Sequence, residues 1–208
     1  TACALYITPT KALGSDQLQS IMRFTKKTGI FPAPYDGDTP QEARAGVREQ
    51  SRFVFTNPDM LHAGILGAHE RWARLLRHLE FVVVDECHTY RGVFGANVAL
   101  VLRRLLRIAK AYGANPTVVF ASATAADPAG QAKRLCGREV RAVTEDAAPT
   151  GERTIVLWEP GFIEGAEGEN GAPVRYPATS EAASVMTELM LQGARTLTFV
   201  RSRRAAET

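Results

Sequence analysis

Short apolar runs rich in β-branched and aromatic residues recur along the first two thirds of the chain, at Ala4 to Ile7, Phe31 to Tyr35, about Arg52 to Thr56, Phe81 to Val84 and Thr117 to Ala121. Runs this short, punctuated by Gly, Pro, Asn and Asp, predict strands, and the unbroken Phe81-Val82-Val83-Val84 predicts one covered on both faces. Between them the apolar period becomes helical. Leu13, Leu18, Ile21, Met22 and Phe24 give a ragged inner face that Gly29 ends. Val98, Val101, Leu102, Leu105, Leu106 and Ala109 form the stripe of a long helix from Val93 to Tyr112, with Arg103, Arg104, Arg107 and Lys110 mostly opposite. Strand and helix alternate, which predicts an α/β fold with a largely parallel sheet.

Helix starts are marked by polar caps. Thr39 with Glu42 reads as a capping box with Pro40 at the first helical position, Asn57-Pro58-Asp59 opens a helix through Leu66, and Asp127-Pro128 caps another. Between Glu145 and Gly151 the composition turns to Ala, Pro, Thr and Gly, which predicts a boundary. The expected domains are residues 1–148 and 149–208. A new series follows: strand Thr154 to Trp158, a Gly/Glu-rich loop Glu159 to Pro177, a helix Ser180 to Gln192 with Val185, Leu189 and Met190 inward, and strand Thr196 to Val200. The chain opens in mid-strand without Met, as a cut inside a longer protein would.

At 208 residues with 45% hydrophobic content the chain can bury a real core, and a net charge of +3 is too small to establish a polyanionic partner. Most of the 25 basic residues are arginine, which suits phosphate contacts but also follows from a GC-rich genome. Three scattered cysteines without C-x-x-C spacing suggest neither a disulfide framework nor zinc, so a reducing, cytoplasmic setting is expected. No apolar run reaches the roughly 20 residues of a membrane helix, and no signal segment opens the chain. His62, His69 and His78 lack metal-ligand partners at suitable spacing.

The chemistry concentrates where Val84 meets Asp85-Glu86-Cys87-His88. Carboxylates after a buried strand are either solvated acids on a turn or part of a magnesium-dependent phosphoryl-transfer site. The second needs one acid to hold Mg²⁺ and another to deprotonate the attacking water. For the pair alone the turn is the simpler reading. Its companions change that: Pro9-Thr10-Lys11-Ala12-Leu13, Thr56-Asn57-Pro58-Asp59 and Ser122-Ala123-Thr124 each follow a predicted strand, in this order around the acids. Together they resemble motifs Ia, Ib, II and III of the superfamily 2 helicases of the DEAD/DEAH-box kind. Leu197-Thr198-Phe199-Val200-Arg201-Ser202-Arg203 is similar to motif IV. Tyr90 to Val98 with Leu102 to Leu105 is similar to the branch holding the bacterial mitomycin-repair DNA helicases and their fungal and archaeal relatives.

The resemblance implies a RecA-like (P-loop NTPase type) domain, truncated at its N-terminus, and the start of a second one. It implies ATP and Mg²⁺ as cofactors, Asp85 on the Mg²⁺ of MgATP, Glu86 as the base for water, His88 coupling the nucleotide site to motif III or the second domain, and Ser122 and Thr124 linking hydrolysis to strand separation. Pro9, Thr10, Lys11, Thr56, Asn57, Pro58 and Arg201 would meet the nucleic-acid backbone, single-stranded DNA being the first choice of partner, possible because helix N-termini bind phosphate without reading bases. Protein partners are left unspecified. Taken singly, Lys11 is equally a solvated lysine, Asn57 and Pro58 a helix start, and Ser122 and Thr124 a polar strand end. Cys87 reads as a small buried filler.

The departures limit the activity expected. No G-x-x-x-x-G-K-[ST] loop occurs in the chain, and the motif VI arginines have no counterpart. The expectation is an ATP-driven DNA helicase as parent, with DNA repair the setting that the narrower resemblance suggests, whose 208-residue piece alone neither hydrolyses ATP nor unwinds DNA. The alternatives are an RNA helicase or double-strand translocase of the same superfamily, or a non-enzymatic nucleic-acid-binding module.

Overall fold

The five apolar runs pair in parallel into one sheet. In a computed structural model that describes residues 2–123 and 125–207, β1 (Cys3–Ile7), β2 (Pro32–Pro34), β3 (Phe53–Thr56), β4 (Leu79–Val84) and β5 (Thr117–Phe120) lie in the order β2-β3-β1-β4-β5. Ile7 is in register with both Thr56 and Val84, and Val84 with Phe120. The carboxyl ends of β3, β1, β4 and β5 are therefore level, and the residues after them emerge side by side along one edge, where parallel α/β sheets place their ligands.

Helices α1 (Lys11–Thr25), α2 (Ala43–Gln50), α3 (Pro58–Met60), α4 (Ala73–Arg77) and α5 (Gly92–Ala111) connect the strands, and α6 (Pro128–Cys136) follows β5. Leu5, Val54 and Val82 from the sheet are fully buried with Leu61, Ile65, Trp72, Leu75 and Leu105, and Tyr35 meets Trp72 edge-on at 4.6 Å. At about 1.5–3 kcal/mol for each such side chain, this core is what offsets the ordering of the backbone. The amphipathic face predicted for α5 is the observed one, with Val98, Leu102, Leu105, Leu106 and Ala109 buried.

Several local expectations fail, among them the inner face of α1, where no residue is buried and Met22 and Phe24 stand exposed. Thr39 is no capping box: α2 starts at Ala43, and the Thr39 hydroxyl instead accepts the Asp36 amide at 2.9 Å, because the loop before the helix needs that acceptor more. The helix after Asn57 does not run regularly through Leu66. It passes through a π turn, Leu61–Ile65, and a 3₁₀ stretch, Leu66–Trp72. Leu61, Ile65, Leu66, Trp72, Leu75 and Leu76 are all buried here, and no single 3.6-residue stripe buries that set.

The chain divides into two units, Thr1–Glu145 and Asp146–Thr208. In the second, the predicted loop at 159–177 contains an antiparallel pair, β6 (Phe162–Glu167) and β7 (Pro173–Arg175), closed by the Arg175 guanidinium over the Phe162 ring at 3.9 Å. The strands predicted at 154–158 and 196–200 are absent as strands among the described residues. A β-prone run becomes a strand only against a hydrogen-bonding neighbour, and here Ile155, Leu157, Leu197 and Phe199 stand exposed. α7 (Ala178–Leu191) leaves Leu189 and Met190 largely exposed rather than inward, and α8 (Arg203–Glu207) follows. No helix of the described residues is long and apolar enough to cross a membrane.

Candidate functional site

Asp85 extends β4 by one ladder bond, its amide donating to the Ile7 carbonyl at 2.9 Å, and is 8% exposed. Its carboxylate is held on both oxygens. Tyr6 Oη donates to Oδ2 at 2.9 Å, and the Glu86 amide donates to Oδ1 at 2.9 Å. Glu86 then leaves the strand in left-handed conformation, φ 48° and ψ 39°, where a side chain is uncommon and costs about 1 kcal/mol or more. That reversal starts the short turn Cys87–Thr89, in which the Thr89 hydroxyl donates to the Glu86 carbonyl at 2.8 Å.

This turn is joined to the end of β5. The Cys87 amide donates to the Ala121 carbonyl at 2.9 Å, and the Ala123 amide donates to His88 Nδ1 at 3.3 Å. The same ring nitrogen lies 3.2 Å from Glu86 Oε2. His88 thus touches both the second acid and the segment after β5. Gln131 on α6 donates to the Cys87 carbonyl at 2.9 Å. Ser122 is exposed and its hydroxyl donates to the Ala123 carbonyl at 2.8 Å, while Thr124 lies outside the described residues.

Cys87 is buried, and burial pushes its thiol above the ordinary range, as suits a packing group. Burial, then the hydrogen bond to Asp85, raises the Tyr6 phenol. Tyr90 is raised by burial and by nearby Asp85, and its hydroxyl is buried without a hydrogen-bond partner among the described residues.

At the ends of β1 and β3, Thr10 Oγ1 accepts the Leu13 amide at 3.4 Å and caps α1, with Pro9 half-buried and Lys11 exposed beside it. Asn57 Oδ1 accepts the Met60 amide at 2.8 Å, with Pro58 buried at the first helical position. Thr56 is buried and its hydroxyl donates to the Tyr35 carbonyl at 2.8 Å, so its side chain ties β3 to the chain after β2. Thr8, Lys11, Asp36, Thr56 and Asn57 line one small cleft. Arg201 is exposed in the second unit. Tyr6, the Ala123 amide and Gln131 were not anticipated from the sequence; for Tyr6 the available signal was one phenol inside an apolar strand.

Residues 1–131 match the model of the DEAD/DEAH box helicase family. The chain belongs to that family. It is 40% identical to the ATP-dependent helicase YprA of Bacillus subtilis, over 96% of this chain and 26% of that protein. It is 39% identical to the ATP-dependent helicase HRQ1 of Saccharomyces cerevisiae, over 98% of this chain and 19% of that protein. Among solved structures, the DUF1998 helicase MrfA bound to DNA and AMPPNP superposes with a TM-score of 0.90 at 39% identity, over 99% of this chain and 28% of that one. The chain therefore spans between about a fifth and just over a quarter of the length of these relatives, and its fold is that of RecA-like helicase domains.

Proposed function

We propose that the chain forms part of an ATP-dependent DNA helicase, a longer protein that couples ATP hydrolysis to movement along one strand. The observation that carries this is the level edge of the sheet: the Asp85–Glu86–His88 turn stands beside the helix starts at Lys11 and Asn57 on neighbouring strands. Asp85 would hold Mg²⁺. Its two oxygens each accept one hydrogen bond and keep a further lone pair, and Mg²⁺ is held by one or two carboxylates with water and phosphate completing the shell. Bound MgATP supplies the phosphoryl group and the charge that polarises it. Glu86 would take the proton of the attacking water, and His88, on the Ala123 amide, would report the state of that acid to the segment with Ser122 and Thr124.

Pro9, Thr10, Lys11, Asn57 and Pro58 would face the phosphate backbone, with Thr56 fixing the position of Asn57, and residues 149–208 would begin a second RecA-like domain whose Arg201 meets the same strand. DNA is favoured over RNA because the similar MrfA structure holds DNA. The buried cysteines, scattered along the chain without C-x-x-C spacing, suit a reducing, cytoplasmic setting.

Backbone binding has a salt signature. Fluorescence anisotropy of a labelled oligothymidylate with the 208-residue chain is expected to show weak affinity that falls steeply with salt and varies little with base sequence. Lys11→Ala should reduce the slope of log K against log salt by about 0.7, one phosphate contact on a single strand. Salt-insensitive or strongly base-specific binding would count against the proposal.

A further inference from the structure

Lys11, a cation lining the cleft on the proposed phosphate path, is already engaged. Its Nζ lies 2.7 Å from Asp38 Oδ1, with 46% and 77% of the two side chains exposed, so the pair stands in solvent at the rim of the cleft. Asp38 comes from a loop braced independently of Lys11. Asp36 Oδ1 accepts the Asp38 amide at 2.9 Å, and Thr39 Oγ1 accepts the Asp36 amide at 2.9 Å. Arg44 donates to the carbonyls of Thr39 at 3.1 Å and Asp36 at 3.3 Å. Since Thr56 Oγ1 holds the preceding Tyr35 carbonyl at 2.8 Å, the loop is fixed to the same strand end that presents Asn57. The backbone carrying Asp38 is thus held in place, and contact with Lys11 is lost by turning side chains alone.

A phosphate and the Asp38 carboxylate want the same ammonium group. We propose that Asp38 competes with the nucleic-acid backbone for Lys11, so that strand binding exchanges a carboxylate for a phosphate and strand release is helped by the carboxylate's return. The inference rests on the reading of Lys11 as a backbone contact. Exchanging one anion for another leaves the net gain from Lys11 small and each phosphate contact short-lived, which suits a protein that must let go of every nucleotide it passes.

The test is anisotropy and stopped-flow dissociation of a fluorescein-labelled oligothymidylate with the 208-residue chain. Asp38→Asn is expected to tighten binding and slow dissociation by about two- to five-fold, the range that an exposed ion pair supports. In a Lys11→Ala background the same change should have no effect. Glu42→Gln, an exposed acid nearby without a described ion pair, removes equal charge and should give a smaller change than Asp38→Asn. Asp38→Asn without tighter binding, the same gain in the Lys11→Ala background, or an equal gain from Glu42→Gln would overturn the role of Asp38. If Lys11→Ala itself leaves binding and its salt slope unchanged, the reading of Lys11 as a backbone contact falls, and this inference with it. If Lys11→Ala weakens binding while Asp38→Asn does nothing, the role of Asp38 alone is lost.

Discussion

Glu86→Gln is expected to lower ATP turnover of the longer helicase by about a hundred- to ten-thousand-fold, the range of a positioned general base, while nucleotide and DNA binding persist. Glutamine keeps the side chain's length and a carbonyl oxygen near His88 but cannot take a proton from water. The experiment belongs in a protein whose phosphates are cradled: the 208-residue chain contains no G-x-x-x-x-G-K-[ST] loop and is expected to hydrolyse no ATP by itself. DNA-stimulated turnover by this chain alone, abolished by Glu86→Gln, would refute the requirement for that loop. Turnover in the longer protein that survives the substitution would refute the role of Glu86.

The backbone at this position separates catalysis from stability. At φ 48° glycine relieves the conformational cost that glutamate carries, so Glu86→Gly is expected to hold stability or raise it by up to about 1 kcal/mol while turnover is lost. A residue kept where glycine would be more comfortable is one kept for its side chain. If Glu86→Gly unfolds the domain, the His88 contact matters more to folding than the strain does.

What the sequence disclosed and what it hid divide along physical lines. The strands of the first unit were legible as short apolar runs between turn residues, but the expected cover on both faces of β4 fails, since Phe81 is 46% exposed while Val82 and Val84 are buried. Asn57 and Asp127 were legible as caps because the acceptor and the amide it serves lie three residues apart. Thr39 carried an equally good local pattern and failed, since its hydroxyl had a stronger claim in the Asp36 loop. The acids at 85 and 86 could be singled out from their place at a strand end, but what orients them could not. Tyr6 is 79 residues from Asp85, and the Ala123 amide 35 from His88, so each contact exists only after the strands have registered. The missing strands of the second unit follow the same logic: 154–158 and 196–200 have strand-like composition, and pairing depends on a neighbour that composition does not specify.

Tyr6→Phe should destabilise the first unit by about 1–2 kcal/mol near neutral pH, the lower part of the range for a hydrogen bond to a charged group, because the site is only partly buried. Packing is preserved, since a phenyl ring can keep the stack on Phe55 at 5.0 Å; what goes is the second bond on a carboxylate that is 8% exposed. Unfolding by urea in metal-free buffer, read from buried Trp72 in a Trp158→Phe background, reports on this unit. In an Asp85→Ala background the loss should nearly vanish. The pH dependence has a definite sign. Burial and Asp85 hold the folded phenol above the unfolded value near 10, so the unfolded chain ionises first. The contribution of Tyr6 is complete below about pH 10 and is lost as pH rises beyond it. Wild type and Tyr6→Phe should therefore converge in strongly alkaline buffer, and a gap that stays constant there would refute the assignment. The consequence for function runs through β1. The strand that orients the proposed Mg²⁺ ligand through Tyr6 ends two residues before Pro9 in the turn proposed to meet nucleic acid. A shift of that turn on binding DNA can thus reach Asp85 through a single hydrogen bond, and Tyr6→Phe is expected to weaken DNA stimulation of ATP turnover more than basal turnover in the longer protein.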